Sequence, residues 1–301
     1  MSAGPGRRGA ASAVRASACL ALGALVLLGA ASCAAPIRVG AEADPLALLS
    51  PGLAAYARIG GSEARRLLPA MIPPEQASTL RPLLERTRAA AIGLGPADAA
   101  GSRLLEAALV GDYPFRRASL ALAADRGWKR EGRAYLHAAT GLRALVAGPG
   151  LVLASSISVD PLIDRAADPG PGPIPARLAS LAGRELVLWM PDPLARLAPG
   201  LFGEGDPAMP VRGLFVAASP AADGDYSATV AFLMSDAEAA RSFRPALRLA
   251  WYFIARGALG DEAGPALGAR FALDGELVTA SGVSLPASAV ARLLASAAPK
   301  K

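Results

Sequence analysis

The sequence predicts an α+β fold built from two similar units, and three observations lead to that prediction. Strand-like apolar runs alternate with helix-like segments from Leu53 onward. The order of these elements returns after the proline-glycine segment Pro169–Pro175. The closing stretches of the two halves, Leu151–Pro161 and Leu277–Pro286, read LVLASSISVDP and LVTASGVSLP. We therefore expect duplication of a unit of about 115 residues. The alternative is chance similarity among strands rich in Ala, Ser, Val and Leu.

Each unit is predicted to follow the order β-α-β-β-α-β-β-α, a ferredoxin-like order with an added strand. Such a unit places its helices on one face of a mostly antiparallel sheet. We expect the two units to pack through their sheets or long helices. The predicted segments are a lipoprotein signal peptide (1–32), a flexible tether (33–50), the first repeat (51–168), a Pro/Gly linker (169–183) and the second repeat (184–298).

Local signals support the elements of the first unit. Leu53 opens a buried strand, LAAYARI, and Ser62 is expected to cap the helix that follows. Asp112 and Pro114 are typical of another helix start. Gly148-Pro149-Gly150 predicts a turn between two strands, and SVDPLIDRA predicts a short closing helix.

The second unit shows the same kinds of signal. Glu185–Met190 predicts a strand, and the turn PAADGD joins two further strands. Ser235 and Glu238 are spaced as a capping box, which opens a long helix. The dipeptide Asp274-Gly275 predicts a β-hairpin in the final part of the chain.

The long helix, predicted over Asp236–Arg256, is the most distinctive element of the second unit. Helical spacing predicts that Phe243, Leu247, Trp251 and Ile254 face the core or the other half of the protein. Arg241, Arg244 and Arg248 fall on another face and form a basic stripe. The stripe fits an anionic partner, such as a lipid headgroup or glycan. It equally fits a solvated face whose arginine stems cover apolar surface.

Charge and cysteine content exclude several classes of protein. The chain has 31 basic and 25 acidic residues, too mild a balance for nucleic-acid binding without clustered charge. Cys19 and Cys33 are the only cysteines, and Cys19 lies inside an apolar N-terminal run. We expect no disulfide and no thiolate metal site in the mature domain, and no cofactor.

The N-terminus has the features of a secretory signal. Arg7, Arg8 and Arg15 precede an apolar run of about a dozen residues, which is shorter than the ~20 needed to span a bilayer. Small residues and then Cys33 end the run, reading Ala-Ala-Ser-Cys. This ending resembles the lipobox of bacterial lipoproteins, although Ala30 stands where the family usually has Leu. The resemblance implies cleavage before Cys33, diacylglycerol on its thiol and an acyl group, such as palmitate, on its new amine.

Candidate catalytic residues are sparse. His137 is the only histidine and is expected on a half-exposed strand, with no G-x-S-x-G motif to supply a nucleophile. Lys129, which a Ser–Lys hydrolase would need, lies in the charged turn WKREGR. Asp160 and Asp164 are spaced one helical turn apart, as expected for surface or capping residues. The pair Asp223 and Asp225 is expected to form a tight turn between strands, because further calcium ligands are missing. We expect no metal site.

These observations predict a membrane-anchored cell-envelope lipoprotein that binds or scaffolds and is not an enzyme. The lipid anchor would lie in the cell membrane or the outer membrane, with the domain extracytoplasmic. Membrane lipid, through acylated Cys33, is the expected partner, together with an envelope protein or glycan. The alternative is an envelope hydrolase that uses carboxylates, since acid pairs require no sequence motif.

Overall fold

In the described part of the chain, one 12-stranded antiparallel sheet takes strands from both predicted repeats. The computed structural model describes residues 44–68, 81, 83–97, 103–193 and 210–290, all within the compact unit Ile37–Lys301. The strands are β1 (Ala55–Gly60), β2 (Thr87–Ala97), β3 (Arg103–Gly111), β4 (Trp128–Glu131), β5 (Ala134–His137), β6 (Arg143–Gly148), β7 (Leu151–Ser155), β8 (Leu186–Pro191), β9 (Val211–Pro220), β10 (Tyr226–Met234), β11 (Arg270–Asp274) and β12 (Leu277–Leu285). Their order across the sheet is β11-β12-β10-β9-β8-β1-β2-β3-β7-β6-β5-β4.

Helices cover both faces of this sheet. The α-helices are α1 (Gly61–Leu67), α2 (Phe115–Ala124), α3 (Asp160–Ala167), α4 (Ala237–Leu259) and α5 (Gly264–Leu267). The 3-10 helices are η1 (Pro45–Leu48), η2 (Ala176–Leu178) and η3 (Gly260–Ala263). The predicted α+β class with mostly antiparallel strands is confirmed, although one sheet takes the place of two.

The two halves meet edge to edge, where β1 pairs antiparallel with β8. Tyr56 lies opposite Trp189, and Ile59 lies opposite Leu186. The expected contact through the sheets or the long helices therefore takes the form of edge-to-edge strand pairing within one sheet. Backbone hydrogen bonds across this seam make the sheet continuous.

The strand order within each half also differs from the ferredoxin-like order. In that arrangement a further strand is inserted between the two strands that flank a helix, a split βαβ. Here β1 and β2, which flank α1, are direct antiparallel neighbours. Counted outward from the seam, the first half reads β1-β2-β3-β7-β6 and the second reads β8-β9-β10-β12-β11.

The prediction that the helices share one face is wrong as well. Successive side chains of a strand point to opposite faces of the sheet, so two neighbouring residues of β9 identify the contacts on each face. Phe215 belongs to the apolar cluster that contains Leu162 of α3 and Leu178 of η2. Val216 instead packs against the cluster that contains Leu247 of α4. We call these the first and the second face; α1 and α2 lie on the second.

The predicted tether, 33–50, ends earlier than expected, because residues from Asp44 onward belong to the fold. Leu46, Leu48 and Leu49 are each at most 1% exposed and lie in the first-face cluster. Asp44 begins η1 by accepting a hydrogen bond from the Leu46 N–H at 3.0 Å. Large apolar side chains in this stretch fill the first face, which explains why it is not a free spacer.

The predicted Pro/Gly linker, 169–183, is likewise not a detached spacer. Leu178 is fully buried in the first-face cluster. The Arg58 guanidinium of β1 donates to the carbonyls of Ala182 and Arg184, the latter at 2.8 Å. Arg165 of α3 donates to the carbonyl of Pro171 at 3.2 Å. Arg58 holds the end of the segment against the sheet, Arg165 holds its start against α3, and η2 begins directly after the last proline.

Several local predictions are confirmed and others shift by one or two residues. The β6–β7 and β11–β12 hairpins form as expected. Helix α1 starts at Gly61 after Gly60, without a cap from Ser62. Lys129 lies on strand β4, opposite Leu136, and not in a turn.

Candidate functional site

One side of helix α4 packs against the second face of the sheet. Trp251 donates a hydrogen bond from Nε1 to the carbonyl of Ala266 at 3.0 Å, which ties α4 to α5. The other buried residues of α4 with large side chains are Leu247 and Leu259. The predicted core positions Leu247 and Trp251 are confirmed, and Phe243 packs against the cluster partly buried.

The N-terminus of α4 is capped by Asp236, one residue after the predicted Ser235. Asp236 accepts a hydrogen bond from the Ala239 N–H at 2.8 Å, and Ser235 Oγ donates to its other oxygen at 2.9 Å. These hydrogen bonds, the backbone bond first, hold the pKa of Asp236 below its usual value. The charged carboxylate also faces the positive end of the helix dipole.

The three stripe arginines, Arg241, Arg244 and Arg248, are exposed. Among the described residues no ion pair neutralises any of them. Arg248 lies 5.8 Å from the ring centroid of Phe271 on β11, so its stem and head also cover apolar surface. Within α4, the only acidic residue is Glu238, in the first turn. The helix therefore presents uncompensated positive charge.

Beside these arginines α4 exposes large apolar side chains. Leu249 is 59% exposed, Tyr252 41% and Phe253 64%. They stand at i, i+3 and i+4, which places them on one side of the helix. The rings of Tyr252 and Phe253 meet edge to face at 5.6 Å. Ile254, predicted to face the core, is 48% exposed, so that prediction is wrong.

We define the α4 surface by six residues: Arg241, Arg244, Arg248, Leu249, Tyr252 and Phe253. Sequence reasoning found its arginines but missed its apolar members. One feature of the sequence could have revealed them: Leu249–Ala255 is apolar at every position. A helix with one buried face needs apolar residues on that face alone, so some of these seven side chains had to be exposed.

A buried polar cluster joins α1 to β10. The Tyr226 hydroxyl donates to the Glu63 carboxylate, and Arg66 donates to both, reaching Glu63 Oε2 at 2.7 Å. Burial, followed by the hydrogen bond to Glu63, raises the pKa of Tyr226 to about 12. The phenol therefore stays protonated at neutral pH and is satisfied by its neighbours, which is the chemistry of a structural cluster.

The side chains weighed as catalytic do not come together in a shared cleft. His137 lies half-buried on β5, as predicted, and its ring stands 4.9 Å from that of Trp128. Its Nδ1 is 3.0 Å from Thr140 Oγ1. Lys129 is exposed on the neighbouring edge strand. Neither residue contacts a carboxylate among the described residues.

The acid pairs occupy turns and helix ends. Asp160 accepts from Ser158 Oγ at 2.8 Å, and both Asp160 and Asp164 are exposed on α3. Asp223 accepts from the Asp225 N–H at 3.1 Å in the β9–β10 turn, which confirms the predicted tight turn. In the described ranges, no group of three or more potential metal ligands converges.

Cys33 and the signal segment lie outside the described residues. No helix within the described ranges has both the length and the apolarity to cross a bilayer.

The fold is similar to that of TP0453, while sequence comparisons find no relative. No protein-family model matches the chain, and no curated protein matches it. Crystal form III of TP0453 aligns with a TM-score of 0.61 at 14% identity, over 85% of this chain and 100% of that one. Crystal forms I and IV give TM-scores of 0.61 and 0.59, at 15% and 16% identity, again over 85% of this chain and 99% and 98% of theirs. At such identity the likeness concerns the fold alone: this chain shares the architecture of TP0453.

Proposed function

We propose that this protein is a lipid-anchored, non-catalytic protein of the cell envelope that binds an anionic membrane surface through the α4 surface. The observation that carries the proposal is the pairing of unneutralised Arg241, Arg244 and Arg248 with exposed Leu249, Tyr252 and Phe253 on one helix.

The chemistry of the α4 surface fits the interface of an anionic bilayer. Helices that lie in such an interface combine basic residues on the polar side with aromatic and aliphatic residues that enter the headgroup region. Each Arg near an anionic surface contributes about 1 kcal/mol of attraction. An acidic protein or a glycan could also bind the arginines. Exposed Phe253 and Leu249 favour a partner that has an apolar layer beneath its charged surface, as a bilayer does.

The proposed lipid anchor makes weak binding by α4 sufficient. The acyl chains on Cys33, two in the diacylglycerol and one on the amine, would hold the domain at the bilayer and give α4 a high effective concentration of lipid. Residues 34–43 separate Cys33 from Asp44, the first residue of the described fold, and ten extended residues span at most about 36 Å. The domain would therefore stay close to the membrane.

We also propose that the two halves arose by duplication, although they are not ferredoxin-like. The matching strand orders on either side of the β1–β8 seam support this. The similar segments LVLASSISVDP and LVTASGVSLP contain β7 and β12, which hold equivalent places beside β3 and β10. In this proposal α4, between β10 and β11, corresponds to α2, between β3 and β6, and its length of 23 residues against 10 gives the second half its own binding surface.

Vesicle binding of the purified mature chain, residues 33–301 with Cys33 replaced by Ser, tests the α4 surface without the signal segment and without the anchor. We expect co-sedimentation with vesicles containing phosphatidylglycerol, weaker binding to pure phosphatidylcholine, and loss of binding as salt rises. The triple change Arg241→Glu, Arg244→Glu and Arg248→Glu should abolish binding. Arg116→Glu with Arg117→Glu, on exposed positions of α2, is the matched control. Equal binding by both variants would refute the assignment to α4.

The anchor is tested separately in cells. The unaltered chain should incorporate labelled fatty acid and fractionate with membranes, and Cys33→Ser should incorporate none. A Cys33→Ser variant that incorporates the label as well as the original chain would refute the lipoprotein assignment and leave the vesicle result standing.

A further inference from the structure

Strand β11 (Arg270–Asp274) is a sheet edge with one open side. Among the described residues it pairs with β12 alone. Four of its five residues are exposed, and Phe271 is half-buried against the second-face cluster. Unpaired backbone groups on an edge of this kind bind a further strand readily.

The backbone groups that point outward from β11 belong to Phe271 and Leu273. Asp274 and Leu277 flank the two-residue loop Gly275–Glu276, and residues that flank such a loop face each other with their hydrogen-bonding groups. The alternation along an antiparallel strand then turns Arg270 and Ala272 inward as well. Ser281 Oγ of β12 lies 3.5 Å from the Arg270 carbonyl, which agrees with that direction.

The sequence of β11, Arg-Phe-Ala-Leu-Asp, is complementary to itself in antiparallel register. With Ala272 of two copies face to face, Arg270 of each copy lies opposite Asp274 of the other. Phe271 of each lies opposite Leu273 of the other, and these are the residues whose backbone groups point outward. Opposite charges and apolar pairs directly across a ladder are both favourable, and the contact is the same from either side.

We propose that β11 is a homodimer interface, in which the sheets of two copies join through antiparallel β11–β11 pairing centred on Ala272. We assign the strand that pairs with β11 to a second copy of this chain, because one register satisfies both the opposite charges and the outward-pointing backbone groups. The opposite edge does not offer this match. Strand β4 presents exposed Lys129, Arg130 and Glu131, and centred self-pairing would place Lys129 opposite Arg130.

The hairpin that carries β11 is braced for such a contact. Arg177 of η2 forms an ion pair at 3.3 Å with Glu276 of the hairpin loop. Arg248 of α4 covers Phe271 on the second face. A preordered edge loses less conformational entropy on pairing than a mobile one. Because only five residues pair on each side, we expect a weak dimer in solution.

Anchoring would strengthen the dimer. If Cys33 is acylated as proposed, two copies confined to one membrane have a high effective concentration, and their α4 helices lie on the same face of the joined sheet. This consequence rests on the proposed anchor, whereas the pairing itself does not and is tested without it.

Site-specific disulfide formation tests the register. In the full chain with Cys19→Ser and Cys33→Ser, Ala272→Cys places two thiols across a pair that is not hydrogen-bonded, with a Cα–Cα distance of about 4.5 Å. Diamide should oxidise the two thiols to a disulfide and take up the two electrons and two protons that they release. Arg270→Cys alone should not crosslink, since its copies stand about 13 Å apart along the strands. Arg270→Cys mixed with Asp274→Cys should crosslink.

Charge exchange tests the same register by sedimentation of the monomer and dimer. Arg270→Asp or Asp274→Arg alone should raise the dimer dissociation constant about tenfold, because each places like charges opposite one another twice. The two changes together should restore it. A chain that stays monomeric at every concentration would overturn the proposal. So would crosslinking by Arg270→Cys alone at the rate of Ala272→Cys, or a dimer that neither charge change affects.

Discussion

The Glu106 carboxylate on β3 accepts two hydrogen bonds from Ser50, one from its backbone N–H and one from its Oγ, both at 2.8 Å. Glu106 is 2% exposed, and the contact joins residues 56 positions apart. Tyr56 strengthens the same region by donating to the Ser50 carbonyl at 3.0 Å and accepting from the Leu53 N–H at 2.8 Å. Ser50, in the segment just before β1, is thus bound to a central strand of the sheet.

Replacing Glu106 should destabilise the fold. Glu106→Ala leaves the Ser50 N–H without its buried acceptor, at a cost of about 1–3 kcal/mol in the free energy of unfolding. Urea unfolding followed by circular dichroism measures it. Glu131→Ala is the control, because Glu131 pairs with Arg143 on the surface, where ion pairs contribute about 0–1 kcal/mol. Equal losses in the two variants would contradict the assigned role of Glu106.

Shortening a buried leucine in η1 tests whether this segment belongs to the core. Leu48 is fully buried, so Leu48→Ala should lower the free energy of unfolding by about 2–5 kcal/mol. Ile157→Ala, at a position 65% exposed, should change it by less than about 0.5 kcal/mol. If Leu48→Ala is as mild as Ile157→Ala, the segment is a spacer after all.

Gly213 of β9 leaves space that Trp189 of β8 fills. A Cβ on Gly213 would lie 2.0 Å from Cη2 of the Trp189 indole, inside van der Waals contact. Gly213→Ala should therefore cost about 1–3 kcal/mol of stability through displacement of the indole. Gly257→Ala is the opposite case: nothing lies within 4 Å of its Cβ position, and it stands within α4. It should stabilise the protein by about 0.5–1 kcal/mol. Thermal unfolding of both variants would show shifts of opposite sign.

The cap at Asp236 predicts a pH-dependent contribution to stability. Because hydrogen bonds lower the pKa of Asp236 in the folded state, its contribution is present above the unfolded value of 3.8 and is lost as pH falls through the folded value. Asp236→Ala should thus be less stable than the original chain at pH 7, with the difference shrinking below pH 3.8. Asp236→Asn should keep most of the cap, since Asn also caps well, and lose the charge-dependent part. A difference that stays constant across this pH range would show that the charge contributes nothing.

Local sequence patterns predicted the elements well where nearest neighbours decide the structure. The β11–β12 hairpin follows from one turn signal near Gly275, whose φ of 57° favours a residue without a side chain. The burial of Leu247 and Trp251 follows from helical spacing. Such features depend on residues that are close in sequence.

Predictions from sequence were wrong where contacts between distant residues determine the structure. The sequence around Leu48 predicts a tether, because no local pattern shows that these leucines cover the first face of a sheet formed by distant residues. The seam between β1 and β8 joins residues about 130 positions apart, and no local pattern reports it. For the candidate surface, spacing identified Arg241, Arg244 and Arg248. The exposure of Phe253 could not be predicted, because a buried and a solvent-facing aromatic residue look alike in a sequence.

If the α4 surface enters the membrane interface as proposed, a fluorophore attached to that surface will leave water when the protein binds a vesicle. A polarity-sensitive label at Phe253→Cys, with Cys19→Ser and Cys33→Ser, should shift to shorter wavelength when phosphatidylglycerol vesicles are added. A quencher attached to the lipid acyl chains should then reduce its emission. The same label at Leu120→Cys, on α2 and 66% exposed, should change in neither respect. Unchanged emission at position 253, or the same response at both positions, would contradict the account.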